Sequence, residues 1–405
     1  MRQKSYDVII IGARAAGASL GILLGRQGKR VLMIDKATFP SDTLSTHHMS
    51  HVRYLDKLGV LEDVEARGYR KITRMRTYVG NSFIEGPRTD YTIIPKRDYL
   101  DHVLIKHATG YDNVHLLEGT IVQGLKWEND RVTGVKTNAP GFEEVSGELI
   151  VGADGMRSKV ATWVNAETYL SEKAVRPVFY GYYQGIDPLE ETATEIFLQN
   201  GRIGFLFPME PGRYCLGLEI HQDEFKRFAA DPEREFESHY QQLYRMDKRL
   251  RNSELEGRIV GSPGVENFIR KPYGKGWALI GDAAHSKDPS TGLGINDAFM
   301  QAFLLSDAIE ARDEGTKWSD AMEVFHQKRD EAILPAYELT VDYIRGLRAW
   351  TEEEHAYFDA MAANPIVWSK LVSHLPQVLR EKAKGSPILW ESVRMESNSF
   401  LKGGQ

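Results

Sequence analysis

The chain has 405 residues and a formal net charge of −6. It is long enough for two linked domains, because single cores rarely grow past about 250–300 residues. This charge, without any long Lys/Arg block, argues against nucleic acid as the main partner. Cys215 is the only cysteine, which excludes an internal disulfide, a Cys-x-x-Cys relay and a cysteine-based metal cluster, and points to a reducing cytoplasm.

The apolar start is preceded by Asp7 and interrupted by Arg14, so it reads as fold and not as a secretory leader. No run of about 18 apolar residues predicts a membrane span. Residues Asp7–Ile11 read as a buried parallel strand, the Ala/Gly/Leu stretch to about Gly25 as a closely packed helix, and Arg30–Ile34 as a second strand ending in Asp35. Strand, glycine turn, helix, strand and acid together make the dinucleotide fingerprint. In it, Gly12 allows the tight turn, Gly17 lets helix and strand approach, and the helix N-terminus offers amides to a pyrophosphate. Arg14 stands where the second glycine is usual. Its guanidinium either reaches the phosphates or an aromatic part of the cofactor, or points to solvent.

The same device recurs twice. Leu149–Gly152 runs into Ala153-Asp154-Gly155-Met156-Arg157-Ser158, and Trp277–Ile280 runs into Gly281-Asp282-Ala283-Ala284-His285 and on through Pro289 and Gly292-Leu293-Gly294-Ile295-Asn296. Taken singly, such acids are turn formers or cofactor contacts. The ordered set resembles the single-component FAD-dependent monooxygenases of the para-hydroxybenzoate hydroxylase fold, which geranylgeranyl-reductase-like enzymes and flavin halogenases share. The resemblance covers most of the first 310 residues.

What it implies is an α/β chain with a discontinuous Rossmann-like FAD-binding domain (1–75, 101–170 and 265–345). A mixed β-sheet substrate domain would occupy 76–100 and 171–264, and a helical region 346–405. By the same resemblance, Gly12, Arg14, Ala16 and Gly17 cradle the FAD pyrophosphate and Asp35 holds the adenosine ribose. Asp154 and Gly155 lie along the pyrophosphate, Asp282 holds the ribityl chain, and Arg97 opens a helix beside the FAD. Gly292, Gly294, Ile295 and Asn296 would present amides to the pyrimidine end of the ring, in the manner of an oxyanion hole, with Pro289 shaping that loop. The family cycle is implied as well: NAD(P)H visits transiently, FAD is reduced, and molecular oxygen is delivered as a hydroxyl group through a flavin hydroperoxide. Three departures stand out: Arg14, Ala161 where an arginine is common, and Gly-Leu-Gly where Gly-Gln-Gly is frequent.

Between the second and third motifs, Arg176–Ile186, Glu195–Leu198, Ile203–Pro208 and Arg213–Ile220 read as aromatic-rich strands. Tyr180, Tyr182, Phe197, Phe205 and Phe207 are candidates either for a substrate pocket or for core. His47 and His48, after "SDTLST", are candidates to orient substrate, act as a base or carry a covalent flavin bond; helix capping by Ser45 or Thr46 with solvent-facing histidines is the alternative. No histidine spacing suggests a metal.

No second glycine fingerprint or dithiol pair supports a disulfide-reductase design. The leading expectation is a cytoplasmic NAD(P)H-dependent monooxygenase acting on an aromatic or polyketide-like molecule. A geranylgeranyl-type reductase is the first rival, then a halogenase, then a non-catalytic flavin-binding module. Phe299–Ala311 and Trp318–Tyr343 read as helices. The apolar residues Trp350, Phe358, Trp368, Leu371 and Leu375 suggest further helices that cap the pocket or join two subunits in a homodimer.

Overall fold

The computed structural model describes residues 5–49 and 52–364. Trp368, Leu371 and Leu375 therefore lie outside the described residues. The chain forms two compact units, each assembled from three separated segments. The first takes the described residues up to Tyr69, Thr92–Glu172 and Glu266–Pro335; the second takes Arg70–Tyr91, Lys173–Val265 and the described residues from Ala336 onward.

In the first unit, β1 (Ser5–Ile11) leads into α1 (Ala15–Arg26) and β2 (Val31–Ile34). Helix α2 (Arg97–Ala108) precedes β3 (Val114–Leu117). Two further strands, β4 (Glu144–Gly152) and β5 (Trp277–Leu279), complete the five parallel strands, ordered β5-β4-β1-β2-β3, of an eight-stranded sheet whose other strands pair antiparallel. The apolar runs behave as buried parallel strands do: Val31–Ile34 and Ile9–Ile11 are buried without alternation, because helices lie on the sheet. Helix α1 packs against both α2 and α3 (Gly294–Asp313). An α/β chain with a Rossmann-like parallel-sheet unit, a mixed-sheet unit and C-terminal helices is thus the fold.

Register decides where the three turns go. Ile11 pairs with Ile34 on one side and with Gly152 on the other, and Gly152 pairs with Leu279. All three glycine-acid turns therefore leave the same edge of one sheet. Hydrogen bonds continue past the strand ends: the Gly12 amide donates to Ile34 O (2.8 Å), Ala153 to Ile11 O (2.7 Å) and Ile280 to Gly152 O (3.0 Å).

The second unit holds a seven-stranded sheet ordered Glu254–Ser262, Val178–Gln184, Arg213–Glu219, Arg202–Pro208, Thr194–Gln199, Ile72–Val79, Ser82–Thr92. Strand parity divides its residues. Phe179, Leu218, Leu216, Tyr214, Leu206, Phe197 and Tyr78 turn to one face and pack with Phe228, Phe236 and Tyr240 of the helices Phe225–Ala230 and Pro232–Gln241. The long helix Trp318–Gly346 ends on the buried Arg176, which donates to Ile344 O and Leu347 O and so neutralises terminal carbonyls. Helix Glu352–Ala362 follows, opened by a Thr351/Glu354 capping box. No helix of the described residues is long and apolar enough to cross a membrane.

Two predictions follow from packing. A methyl group at residue 17 would lie 1.8 Å from the Gly12 carbonyl oxygen. Gly17→Ala is predicted to cost about 1–3 kcal/mol of unfolding free energy, and an unchanged urea midpoint would show that the turn can yield. His239 is buried in the second unit, and burial, with Arg202 beside it, pushes its pKa from 6.5 down to about 3. The folded state keeps this imidazole neutral while the unfolded chain protonates it, so its contribution is complete above about pH 6.5 and is lost as pH falls below that. His239→Gln should flatten the decline of unfolding free energy between about pH 4 and 6 by one proton's worth; an identical slope would refute the assignment.

Candidate functional site

The first turn is a contact between backbones. Gly12 takes φ +101°, and an added Cβ would fall 2.3 Å from Ala153 O, so only glycine brings the first turn this close to the second. At the third turn, a Cβ on Gly281 (φ +60°) would meet the Ala16 Cβ at 2.9 Å. The small residues Gly12, Ala16, Gly17 and Gly281 are thus what allows the three turns to meet. Asp35, half-buried at the end of β2, accepts from the Ala13 amide (2.8 Å) and the Ala37 amide (2.8 Å). Its carboxylate holds the glycine turn, and each oxygen keeps a second lone pair.

Asp154 accepts from the Ser158 hydroxyl (2.6 Å) and from the amides of Lys159 (2.7 Å) and Val160 (3.2 Å), at the start of the helix Lys159–Trp163. Burial raises its pKa against these hydrogen bonds. Gly155 (φ +79°) follows it, with nothing within 4 Å of an added Cβ.

Asp282 is accessible, yet its carboxyl pKa is raised by the protein packed around it, with Asp297 adding to the effect and Arg97 and Lys287 opposing it. Arg97 opens α2 and is within electrostatic reach of Asp282, while its guanidinium is held by Asp101 (Nη2 to Oδ1, 3.0 Å). Asp101 has a fully buried side chain and also receives Arg14. Sequence reasoning passed over Asp101. The available signal was the Arg97/Asp101 spacing on one helix face.

Past Asp282, His285 is buried and held neutral, its pKa pushed well below the ordinary value first by burial and then by Lys287 and Arg329. Lys287, also buried, forms an ion pair with Asp297 in the first turn of α3, so the loop between them is closed by charge. Within that loop Pro289 opens a short 3-10 turn capped by Asp288, Gly292 takes φ +63°, and Gly294 is exposed with nothing within 4 Å of an added Cβ. Ile295 and Asn296 are buried in the first turn of α3. This first turn carries the positive end of the helix dipole.

The 41–48 segment runs to this loop. His48 Nδ1 lies 3.2 Å from Gly292 O, and a Cβ on Gly292 would be 2.7 Å from the same nitrogen. His47 adopts φ +59° with its side chain buried, and its amide donates to Ser45 Oγ (3.0 Å). Helix capping by Ser45 or Thr46 with solvent-facing histidines is not what forms: the next helix begins at Arg53 and both imidazoles are buried. Arg14 does not point freely to solvent either; its guanidinium is bound by protein groups on α2 and on the 41–42 segment.

In the second unit the ladder puts Tyr180, Tyr182, Phe205 and Phe207 on one face: Tyr180 pairs with Gly217, which pairs with Phe205, and Tyr182 with Cys215, which pairs with Phe207. Phe205 and Phe207 stack at 4.6 Å. Phe197 is not brought together with them. It lies on the helix-covered face, stacked on Tyr78 at 4.6 Å, because it has the opposite strand parity. Among the described residues, no group of three or more His, Cys, Asp or Glu could hold a metal ion.

A glycine cradle, a helix N-terminus, open approach at Gly155 and Gly294 and an accessible Asp282 suit a dinucleotide carrying a flat ring. The profile of the FAD binding domain family matches residues 5–337. This chain belongs to that family. FAD is its cofactor, NAD(P)H is the cosubstrate typical of the family, and the chain is an oxidoreductase. It is similar to the digeranylgeranylglycerophospholipid reductase of Methanosarcina acetivorans, with 26% identity over 335 residues that span 80% of each chain. It is also similar to the 6-hydroxy-3-succinoylpyridine 3-monooxygenase HspB of Pseudomonas putida, with 22% identity over 368 residues that span 82% of this chain and 83% of the other. Among solved structures, the flavin-dependent brominase Bmp2 shares the fold with a TM-score of 0.79 at 20% identity, covering 98% of this chain and 100% of that one.

Replacing Asp282 by alanine removes the accessible carboxylate of the third turn. The prediction for Asp282→Ala is a loss of FAD affinity of about 10- to 100-fold, the size of one hydrogen bond to a charged group. Flavin titration of the apoprotein reads it, and full flavin stoichiometry at wild-type affinity would remove Asp282 from the site.

Proposed function

We propose that this chain is an FAD-dependent monooxygenase that hydroxylates an aromatic or polyketide-like small molecule at the expense of NAD(P)H and O2. The overall exchange balances as one substrate C–H, O2, NAD(P)H and a proton giving the hydroxylated product, water and NAD(P)+. Bound FAD supplies the hydride acceptance and the oxygen activation.

The residues divide the remaining work. Gly12, Ala16 and Gly17 allow the pyrophosphate to approach backbone amides, Asp35 orients the ribose, Asp154 and Gly155 border the phosphates, and Asp282 orients the ribityl chain. The first turn of α3, from Gly294 through Ile295 and Asn296, stabilises negative charge at the pyrimidine end of the ring, while Pro289 and Gly292 shape the approach. His48, fastened to Gly292 O beside this loop, is an imidazole that can hold or pass a proton, and His47 supports it.

The observation that carries the hydroxylase reading is the aromatic layer formed by Tyr180, Tyr182, Phe205 and Phe207, buried except for the half-buried Tyr182, whose rings suit offset and edge contacts with a planar ring. Similarity to a pyridine monooxygenase over most of both chains supports it. A reductase acting on an isoprenoid alkene is the second reading, favoured by the similarity to the archaeal lipid reductase. The stretch "SDTLSTHH" has no cysteine, which sets this chain apart from many of that type.

The deciding experiment is NAD(P)H consumption against phenols, polyketides and N-heteroaromatics under 18O2, with product mass recorded. Hydroxylation predicts a product heavier by one 18O atom per NAD(P)H consumed. A product heavier by two hydrogens, formed equally well without oxygen, would replace this reading by the reductase.

A further inference from the structure

Arg14 stands at the N-terminal boundary of α1 with extended backbone (φ −81°, ψ −162°), so a side chain is accommodated there without strain. Nη1 donates to Asp101 Oδ2 (2.9 Å) and Ser41 O (3.0 Å); Nη2 donates to Ser41 Oγ (3.0 Å) and Asp42 O (3.1 Å). The guanidinium carbon lies 5.3 Å from the centre of the Phe39 ring. All four N–H donors of its two terminal nitrogens are therefore engaged by the protein. Asp101 is shared with Arg97, which binds it through Nε (3.2 Å) and Nη2 (3.0 Å).

The consequence concerns the segment that Arg14 grips. The guanidinium fastens residues 41–42 to the glycine turn and to α2 by four hydrogen bonds, and His48 fastens the far end of the same segment to the glycine loop at Gly292. The segment thus ties the pyrophosphate-side turn to the ring-side loop. A glycine at position 14, the usual residue, would remove these four hydrogen bonds and leave Phe39 N on Glu118, Lys96 beside Asp42, and His48 on Gly292.

We infer that Arg14 is a positioning residue that holds the 39–48 segment across the two FAD-binding turns and thereby slows FAD release, and that it is not a phosphate ligand. A ligand to the phosphates would attract the anionic dinucleotide at a distance, so it would act on association and weaken with salt. A clasp acts on dissociation. The inference rests on the FAD assignment.

The test uses the purified holoprotein and the apoprotein of wild type, Arg14→Gly, Arg14→Lys and Ser41→Ala. Arg14→Gly leaves Asp101 paired with Arg97, so no buried carboxylate is stranded. FAD release, followed by the rise of flavin fluorescence on dilution, should accelerate about tenfold or more in Arg14→Gly, with association changed less than about twofold and little dependence on salt. Amide hydrogen exchange over residues 39–48 of the apoprotein should quicken, while exchange in the parallel sheet stays as in wild type. Ser41→Ala should move both readouts part of the way, and lysine, lacking the planar fork, should rescue only partly.

Slower, salt-sensitive association with unchanged exchange over 39–48 would overturn the clasp in favour of phosphate binding. Unchanged kinetics and exchange would overturn it outright. Wild-type protein that binds no FAD would overturn the cofactor assignment and the retention claim together, and the exchange of 39–48 in the apoprotein separates that outcome from failure of the clasp alone.

Discussion

Everything in the first unit depends on backbone meeting backbone at Gly12. Its amide reaches Ile34 O, and its α-carbon faces Ala153 O at a distance no Cβ could share. The Gly12 carbonyl in turn lies where a methyl on residue 17 would sit. Two strand ends and the start of α1 are thereby held within one contact of each other. The N-terminus of α1, with the positive end of its dipole, is thereby set beside these strand ends, an arrangement that suits an anion. Larger residues at these positions would separate the turns and disperse that field.

Charge is arranged around this contact so that few groups stand alone. Asp35 ties the first turn, Asp154 starts a helix, Lys287 and Asp297 close the ring-side loop, and Asp101 gathers Arg14 and Arg97. Asp282 differs, being an accessible carboxyl in crowded surroundings with Arg97 and Lys287 as electrostatic counterweights. Of the three acids that end strands, it is the one most available to a ligand, since the other two already accept protein hydrogens at both carboxylate oxygens. The histidines follow a related logic, since His285 is kept neutral by burial and His48 is fixed by a carbonyl contact.

Much of this could be read in the linear chain. The three apolar runs ending in glycine and acid announce parallel strands and their turns, because a strand buried on both faces must be continuously apolar and a tight turn must be glycine. The aromatic segments from Arg176 to Ile220 were recognisable as strands by their composition, and Val178–Gln184 and Arg202–Pro208 fall inside or close to them. Parity was harder. Phe197 and Phe205 look alike in sequence, yet one lies beneath helices and the other on the opposite face, because the facing of a strand residue is set by register with neighbours far along the chain.

The linear chain alone carries the class of the protein, an FAD-binding oxidoreductase, in short glycine-and-acid motifs, since glycine conformations and strand burial are local properties. Only the tertiary structure decided what Arg14 and Asp101 do. Arg14's partners Ser41 and Asp101 lie 27 and 87 residues away, and a guanidinium's acceptors are chosen by which chain segments the folded sheet brings within hydrogen-bond reach. The same holds for His48, whose neighbour Gly292 comes from the other end of the domain. Side-chain roles that depend on such long-range approach have no local signature to read.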